Sequence, residues 1–321
     1  MTSGHLNGEL AIVGWLEQAI GKLPSPWILG PGDDAAILRQ EPGHDLVFTT
    51  DMVLENECFR LGEAGPALVG RKALAVNLSD LAAMGAKPVG CLVSLALPKD
   101  EGPGLAEELM KAILSLAGQF NCPVAGGDTN TWRGPLAVSV TAIGKIPAGK
   151  AVRRHGASPG DLLFVTGPLG GSILGHHLNF MPRLDLGAII RESHASAMID
   201  ISDGLSLDLW RLCKASRCGA MIHAERIPIS QDAHRESELH AAGLRPSTPL
   251  MHALNDGEDF ELLFALPQEN LAGLMSTWPA SSPKPAIIGR CTNEQTMLIE
   301  YPHGLIEPLE PHGWVHQFGQ K

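Results

Sequence analysis

Ala67-Leu-Val-Gly-Arg-Lys-Ala-Leu-Ala-Val-Asn-Leu-Ser-Asp-Leu-Ala-Ala-Met-Gly-Ala86 is a long run of small and apolar residues. Its composition predicts a helix, and Ala73, Asn77, Asp80 and Met84 fall on one face at i, i+4, i+7 and i+11. Asp80 therefore lies beside Asn77 in a stretch poor in charge. The strand-like run Asp45-Leu-Val-Phe-Thr-Thr50 precedes this helix and delivers Asp51 at its end; the apolar run Val89–Leu97 follows it. Further along, Gly102–Phe120 reads as a helix, Pro123-Val-Ala125 as a strand feeding Gly126-Gly127-Asp128, and Leu136–Gly144 as another strand. Strands alternating with helices indicate an α/β domain.

Before the helix, Leu10–Leu23 has helical spacing, and Pro24, Pro26, Gly30, Pro31 and Gly32 break it into a loop carrying Asp33 and Asp34. After Gly144 the Pro/Gly punctuation Gly144-Lys-Ile-Pro-Ala-Gly149 predicts a domain boundary, dividing the chain into 1–145 and 146–321. The second part opens with the strand Asp161-Leu-Leu-Phe-Val-Thr166 and the turn Gly167-Pro-Leu-Gly-Gly-Ser172. It continues through Ala197-Met-Ile-Asp-Ile201 into a helix from Asp203 with a Leu205, Leu209, Leu212 stripe. Ser202 or Asp203 is placed to cap that helix. Asp259–Leu266 reads as a strand after the turn Asn255-Asp256-Gly257.

Five acidic clusters stand out: Gly32-Asp33-Asp34, Thr49-Thr50-Asp51, Ser79-Asp80, Gly126-Gly127-Asp128 and Asp200-Ile201-Ser202-Asp203. Any single Asp at a turn is ordinarily a cap. The set argues for more, because a carboxylate is costly to bury unless a cation meets it. Oxygen ligands among Gly, Thr and Ser suit a hard cation, and Mg²⁺ bridges a few carboxylates to phosphate oxygens.

The 321 residues give room for about two domains. They are 44% hydrophobic with a formal net charge of −11, which argues against a nucleic-acid surface because counterion release needs clustered Lys and Arg. No apolar run approaches the roughly 20 residues of a membrane span. Met1–Leu10 lacks the basic region and apolar core of a signal peptide. Six cysteines without CxxC spacing point to free thiols in a reducing cytoplasm. Gly65–Lys72 approximates a P-loop but lacks Gly-Lys-[Ser/Thr]. Gly30–Ala35 approximates a dinucleotide fingerprint but sets two anions where a pyrophosphate would sit. Gly167–Ser172 reads as a strand-to-helix turn rather than a phosphate loop, and His176-His177 and His312/His316 as surface histidines rather than metal pairs. No nucleophile elbow is present.

Taken together, Gly32-Asp-Asp-Ala-Ala, Thr49-Thr-Asp-Met, the Lys72–Ala86 stretch, Gly126-Gly-Asp-Thr, Met198-Ile-Asp-Ile-Ser-Asp-Gly-Leu and Gly257-Glu-Asp-Phe-Glu-Leu-Leu-Phe closely resemble the thiamine-monophosphate kinase family, in its motif order. The resemblance implies the two-domain α/β (α+β) fold of the aminoimidazole-ribonucleotide synthetase-like superfamily. In that fold the N-terminal sheet domain binds ATP and Mg²⁺ and forms a homodimer, and the C-terminal domain closes the active site. It also implies ATP-dependent phosphorylation of thiamine monophosphate to thiamine diphosphate with several Mg²⁺ ions. Position by position, it implies metal binding by Asp34, Thr49, Thr50, Asp51, Asp80, Asp128, Asp200 and Asp203. It implies nucleotide contacts from Gly127, Asp128, Arg154 and Ser202, and substrate contacts from Glu258 and Trp314. At the family's usual substrate-side histidine this chain carries Cys58, which lacks the ring nitrogens. The acceptor is a phosphate monoester, so direct in-line transfer without a covalent nucleophile is expected. The alternatives are another ATP-using enzyme of the superfamily, or a non-catalytic ATP/Mg²⁺-binding paralogue.

Overall fold

The computed structural model describes residues 15–16, 18–29, 37–240 and 247–315. Contacts cluster into two units, one containing residues up to Leu81 together with Lys87–Gly149, the other Ala82–Ala86 and the chain from Lys150 onward.

In the first unit a short antiparallel pair, β1 (Trp27–Leu29) and β2 (Ile37–Leu38), precedes a four-stranded sheet. That sheet comprises β3 (His44–Leu54), β4 (Lys87–Pro98), β5 (Val124–Trp132) and β6 (Ala137–Pro147), in the order β3-β6-β4-β5. Only the β4–β5 pairing is parallel. β3 pairs with β6 over its full length, from His44↔Pro147 to Leu54↔Ala137. Asp51 is therefore interior to a strand, because the pairing carries β3 past the point where its apolar run ends. β5 likewise continues through Gly126-Gly127-Asp128 rather than stopping before them.

Two helices pack with this sheet, α1 (Leu61–Ala83) and α2 (Pro103–Gln119). α2 buries Leu105, Leu109, Met110, Ile113 and Leu116, each such side chain contributing about 1.5–3 kcal/mol. Gly70 of α1 lets the helices cross closely, since a Cβ there would collide with the Leu109 carbonyl. Gly65, at φ 74°, interrupts α1 before Pro66. The expected face of this helix loses Met84, which lies beyond its end.

In the second unit seven strands run in the order β13-β12-β9-β11-β7-β10-β8. They are β7 (Leu162–Val165), β8 (Ala197–Asp200), β9 (Gly219–His223), β10 (Leu262–Leu266), β11 (Ala286–Thr292), β12 (Met297–Glu300) and β13 (Ile306–Pro308). All neighbours are antiparallel except β12 and β9. Phe164 and Phe264 are directly opposed across β7 and β10 and stack at 4.9 Å. The helices are α3 (His176–Asn179), α4 (Leu184–Glu192), α5 (Leu205–Ser216), α6 (Gln231–His240), α7 (Pro249–Asn255) and α8 (Leu271–Thr277). Leu205, Leu209 and Leu212 of α5 join the core with Leu163, Val165, Ile199 and Leu263. No helix among the described residues is long and apolar enough to cross a membrane.

Candidate active site

In the first unit, strand alternation sorts the acidic motifs onto opposite faces of the sheet. Thr49 and Asp51 share the face that meets α1. There the Thr49 hydroxyl donates to Asp80 Oδ2, and the Asp51 amide donates to Asn77 Oδ1 at 3.2 Å. Asn77, fully buried, is fixed in turn by donating from Nδ2 to the Ala73 carbonyl at 3.0 Å. The Ala73, Asn77, Asp80 face is thus the one that binds β3. Thr50 points the other way, donating to the Val140 carbonyl at 3.2 Å and accepting from Thr141 Oγ1 at 3.0 Å. Asp128 is exposed, and its register with Ser94, Ser139 and Met52 sets it on this second face as well. Gly127 falls in the row of Asp51, and a Cβ there would collide with the Val93 carbonyl oxygen. Glycine at 127 is thus required by the approach of β4. Asp34 and the Gly30–Ala35 loop lie outside the described residues.

Cys58 sits in the turn after β3, its amide donating to the Leu54 carbonyl at 2.8 Å. Its carbonyl accepts from Lys72 Nζ at 2.9 Å. Lys72 is 1% exposed, so the lysine of the near P-loop is a buried brace for the Cys58 turn.

In the second unit the motifs converge on one set of loops. Asp200 ends β8, buried and paired with Leu262. The next residues turn away from the sheet and are held by the buried carboxylate of Asp208. It accepts from the Ser202 and Asp203 amides at 3.1 and 3.0 Å and from Arg211 at 2.6 Å. Arg211 also donates to Asp203 at 2.5 Å. The N-cap of α5 is Gly204, with no side-chain cap. The expected cap by Ser202 or Asp203 is not formed; instead Asp208, from the first turn, reaches back to the amides that precede the N-cap. Burial pushes the Asp208 carboxyl above the usual carboxylate range, against the Asp203 amide and the Arg211 charge.

Glu258 arrives from the facing loop. Its amide donates to the Ser202 carbonyl at 2.7 Å, and that of Phe260 to Ile201 at 2.8 Å. Gly257, Glu258 and Phe260 all have positive φ (77°, 55° and 51°), and such conformations cost about 1–3 kcal/mol each at non-glycine residues. Strand β10 accordingly starts at Leu262, later than the apolar run suggested. Trp314 joins the same group, its amide donating to the Asp203 carbonyl at 2.9 Å while the residue is 49% exposed. Ser202, Asp203, Glu258 and Trp314 are thus neighbours through backbone contacts, with Asp200 two residues before Ser202 at the end of β8. Arg154 is exposed, its carbonyl accepting from Ser216 Oγ at 3.1 Å.

Two carboxylates not anticipated from the sequence hold this loop. Asp259, 2% exposed, accepts at Oδ1 from the Gly170 amide (2.8 Å) and Ser172 Oγ (2.5 Å). Glu261, 1% exposed, is met by Arg183 (2.5 and 2.9 Å) and Thr166 Oγ1 (2.5 Å). The Gly171 amide donates to Asp256 Oδ2 at 2.9 Å. The Gly170 and Gly171 amides of this turn therefore serve carboxylates, and that of Leu169 the Pro228 carbonyl, in keeping with the strand-to-helix turn that sequence favoured over a phosphate loop. His177, expected at the surface, is buried, with Nδ1 2.7 Å from the Ser172 carbonyl, while His176 Nε2 lies 3.1 Å from the Asp259 carbonyl. His316 lies outside the described residues.

Residues 32–146 match the family model for AIR synthase related proteins, N-terminal domain. A thiamine-monophosphate kinase from Rhodopirellula baltica is 39% identical over 317 residues, covering 96% of this chain and 97% of the relative. The chain belongs to the thiamine-monophosphate kinase family. A crystal structure of such a kinase from Stenotrophomonas maltophilia superposes with a TM-score of 0.78 at 31% identity, covering 90% of this chain and 95% of that one. A structure of AaThiL complexed with AMPPCP and TMP gives a TM-score of 0.74 at 28% identity, with 97% of both chains covered. The fold is the mixed α/β fold of this kinase family.

Asp259 yields a pH signature. Burial pushes its carboxyl up to about 7 from an ordinary 3.8, against the Ser172 and Gly170 hydrogen bonds. Between these values the folded protein holds a proton that the unfolded chain has lost, so stability contributed here falls as pH rises from about 4 to 7, then levels. In denaturant titrations Asp259→Asn should gain stability relative to the parent as pH rises through that window. A difference that is constant with pH would contradict the assignment.

Proposed function

We propose that this protein transfers the γ-phosphoryl group of ATP to thiamine monophosphate, forming thiamine diphosphate and ADP. The observation that carries the reading is the near end-to-end 39% identity with the Rhodopirellula baltica kinase. The gathering of Ser202, Asp203, Glu258 and Trp314 in one group of loops supports it. The ATP analogue and thiamine monophosphate held by the 28% identical structure support both substrates.

The donor groups fit Mg²⁺: Thr49 and Asp80 present hydroxyl and carboxylate oxygen side by side, the hard ligands this ion prefers. The Thr50 and Asp128 side chains lie on the opposite face of the four-stranded sheet from Thr49, Asp51 and Asp80 and do not join that set. On the first unit Thr49, Asp51 and Asp80, which share the α1 face of the sheet, would hold Mg²⁺ together with Asp34, and on the second unit Asp200 and Asp203 would hold it. Bound there, it would neutralise the phosphate oxygens of donor and acceptor. The chain's own work is positional. Asp208 fixes the Ser202–Asp203 backbone, Arg211 shares its charge with Asp203, and Gly127, Asp128, Arg154 and Ser202 take the nucleotide. Cys58, Glu258 and Trp314 take the thiamine end, where the indole face suits a cationic thiazolium. The acceptor phosphate is already ionised near neutral pH, so holding it in line replaces a general base.

The face of the four-stranded sheet that carries Thr50 exposes Phe48 (62%), Met52 (58%) and Leu54 (37%). An apolar face of this kind fits a homodimer joined through the sheet. A cytoplasmic setting completes the reading, in keeping with six cysteines that are all free.

Steady-state kinetics test the assignments. Asp80→Asn should keep a near-parental melting temperature and lose at least about 100-fold in kcat, the scale of one lost electrostatic stabiliser. Trp314→Ala and Cys58→Ser should raise KM for thiamine monophosphate and leave KM for ATP within about twofold, consistent with lost substrate-side contacts. Full activity after exhaustive chelation would overturn the metal assignment. For the dimer, sedimentation should find a parental dimer and a Phe48→Asp/Met52→Asp monomer; a monomeric parent would refute it.

A further inference from the structure

The helices α6 and α7 bring together three metal-capable side chains that the phosphoryl transfer above does not use. Glu236 projects from α6, His252 from α7, and Asp256 follows the end of α7. Their ligand atoms all lie within 4.8 Å of one another. His252 Nδ1 is 2.9 Å from Asp256 Oδ2, 3.1 Å from Asp256 Oδ1 and 3.7 Å from Glu236 Oε2. Zinc-type ions hold nitrogen and oxygen at about 2.0–2.2 Å, which sets tetrahedral neighbours about 3.4 Å apart. The separations from His252 bracket that spacing, and the Glu236–Asp256 separation is within 4.8 Å, so a dication enters by drawing the donors together.

Two further contacts orient the donors. Ser247 Oγ lies 2.6 Å from His252 Nε2, and a metal-bound imidazole characteristically gives its other ring N–H to such an oxygen. With the proton on Nε2, the Nδ1 lone pair faces the two carboxylates. The Gly171 amide, donating at 2.9 Å, fixes the Asp256 carboxylate from the other side. Charge favours a cation too. The side chains are only 12%, 8% and 25% exposed for Glu236, His252 and Asp256. Two carboxylates around a neutral imidazole give a sequestered charge of about −2, and protonating the ring leaves −1. The rival reading is a hydrogen-bonded histidine–carboxylate cluster that only ties α6 to α7.

We propose that Glu236, His252 and Asp256 form a binding site for one transition-metal dication of the zinc class. The imidazole donor separates it in kind from the all-oxygen positions proposed for Mg²⁺, since nitrogen ligands suit zinc and its neighbours. Through Asp256 the ion would tie α6 and α7 to the Gly170–Ser172 turn.

The test uses the full-length protein, stripped with chelator, dialysed and titrated with Co²⁺ in excess Mg²⁺ while the visible spectrum is followed. One equivalent should bind with the intense absorption of a low-coordinate, nitrogen-containing site and be displaced by Zn²⁺. Glu236→Gln and His252→Asn should each weaken Zn²⁺ binding at least about tenfold, the low end of the loss seen even for an outer partner. Both variants should keep Mg²⁺-supported thiamine-monophosphate kinase activity within about twofold. Glu236→Gln preserves side-chain shape, so a folded variant is available if His252→Asn melts early. Only weak octahedral Co²⁺ absorption, or Zn²⁺ affinity unchanged in a folded Glu236→Gln protein, overturns the site. The proposal does not rest on the kinase reading, because Co²⁺ and Zn²⁺ binding are read without turnover.

Discussion

A carboxylate can leave water only when donors or a cation replace the water it loses. Asp208, Asp259 and Glu261 are each at most 2% exposed, and each is met differently. Two backbone amides and Arg211 meet Asp208; one amide and a hydroxyl meet Asp259; Arg183 and Thr166 meet Glu261. These contacts fix where the Ser202–Asp203 turn, the Gly170–Ser172 turn and the Glu258 loop lie. Removing Arg211 from Asp208, or Arg183 from Glu261, would leave a buried charge uncompensated, a loss of about 3–5 kcal/mol.

This constraint explains why the loops can carry strain. Glu258 and Phe260 hold positive φ, yet their amides are committed to Ser202 and Ile201, and the side chains beside them are anchored in the second unit's interior. Phe260 also stacks on Phe180 with ring centres 4.0 Å apart. A loop fixed in this way holds the Glu258 backbone against the Ser202 turn, and the Trp314 amide is tied to the same turn through Asp203. Transfer between two phosphate-bearing anions depends on such preorganisation, because there is little covalent chemistry for side chains to perform.

The local patterns were legible in the sequence. Alternating runs gave the α/β class, the Leu205, Leu209, Leu212 stripe gave the buried face of α5, and Ala73, Asn77 and Asp80 gave the face of α1 that meets β3. What misled was non-local. Asp51 and Gly127 read as strand-end residues because the apolar runs stop near them, whereas pairing with β6 and β4 carries both strands onward. Asp203 resembled a cap because nothing local announces that Gly204 will be the N-cap and that Asp208 will hold the Ser202 and Asp203 amides. Thr49 and Thr50 look equivalent in sequence, and only the pleat separates them. Asp259 and Glu261 were read as part of a strand, since their partners lie 78–95 residues away in the chain.

The central claim is that fixed carboxylates, with the ions they hold, align two anions for direct transfer with no enzyme-bound phosphate. The stereochemical course at phosphorus tests it most directly. With ATP made chiral at the γ-phosphorus by oxygen isotopes and thiamine monophosphate as acceptor, the β-phosphate of the thiamine diphosphate formed should show inversion. Net retention would mean two successive displacements through a phosphoenzyme and would contradict the account.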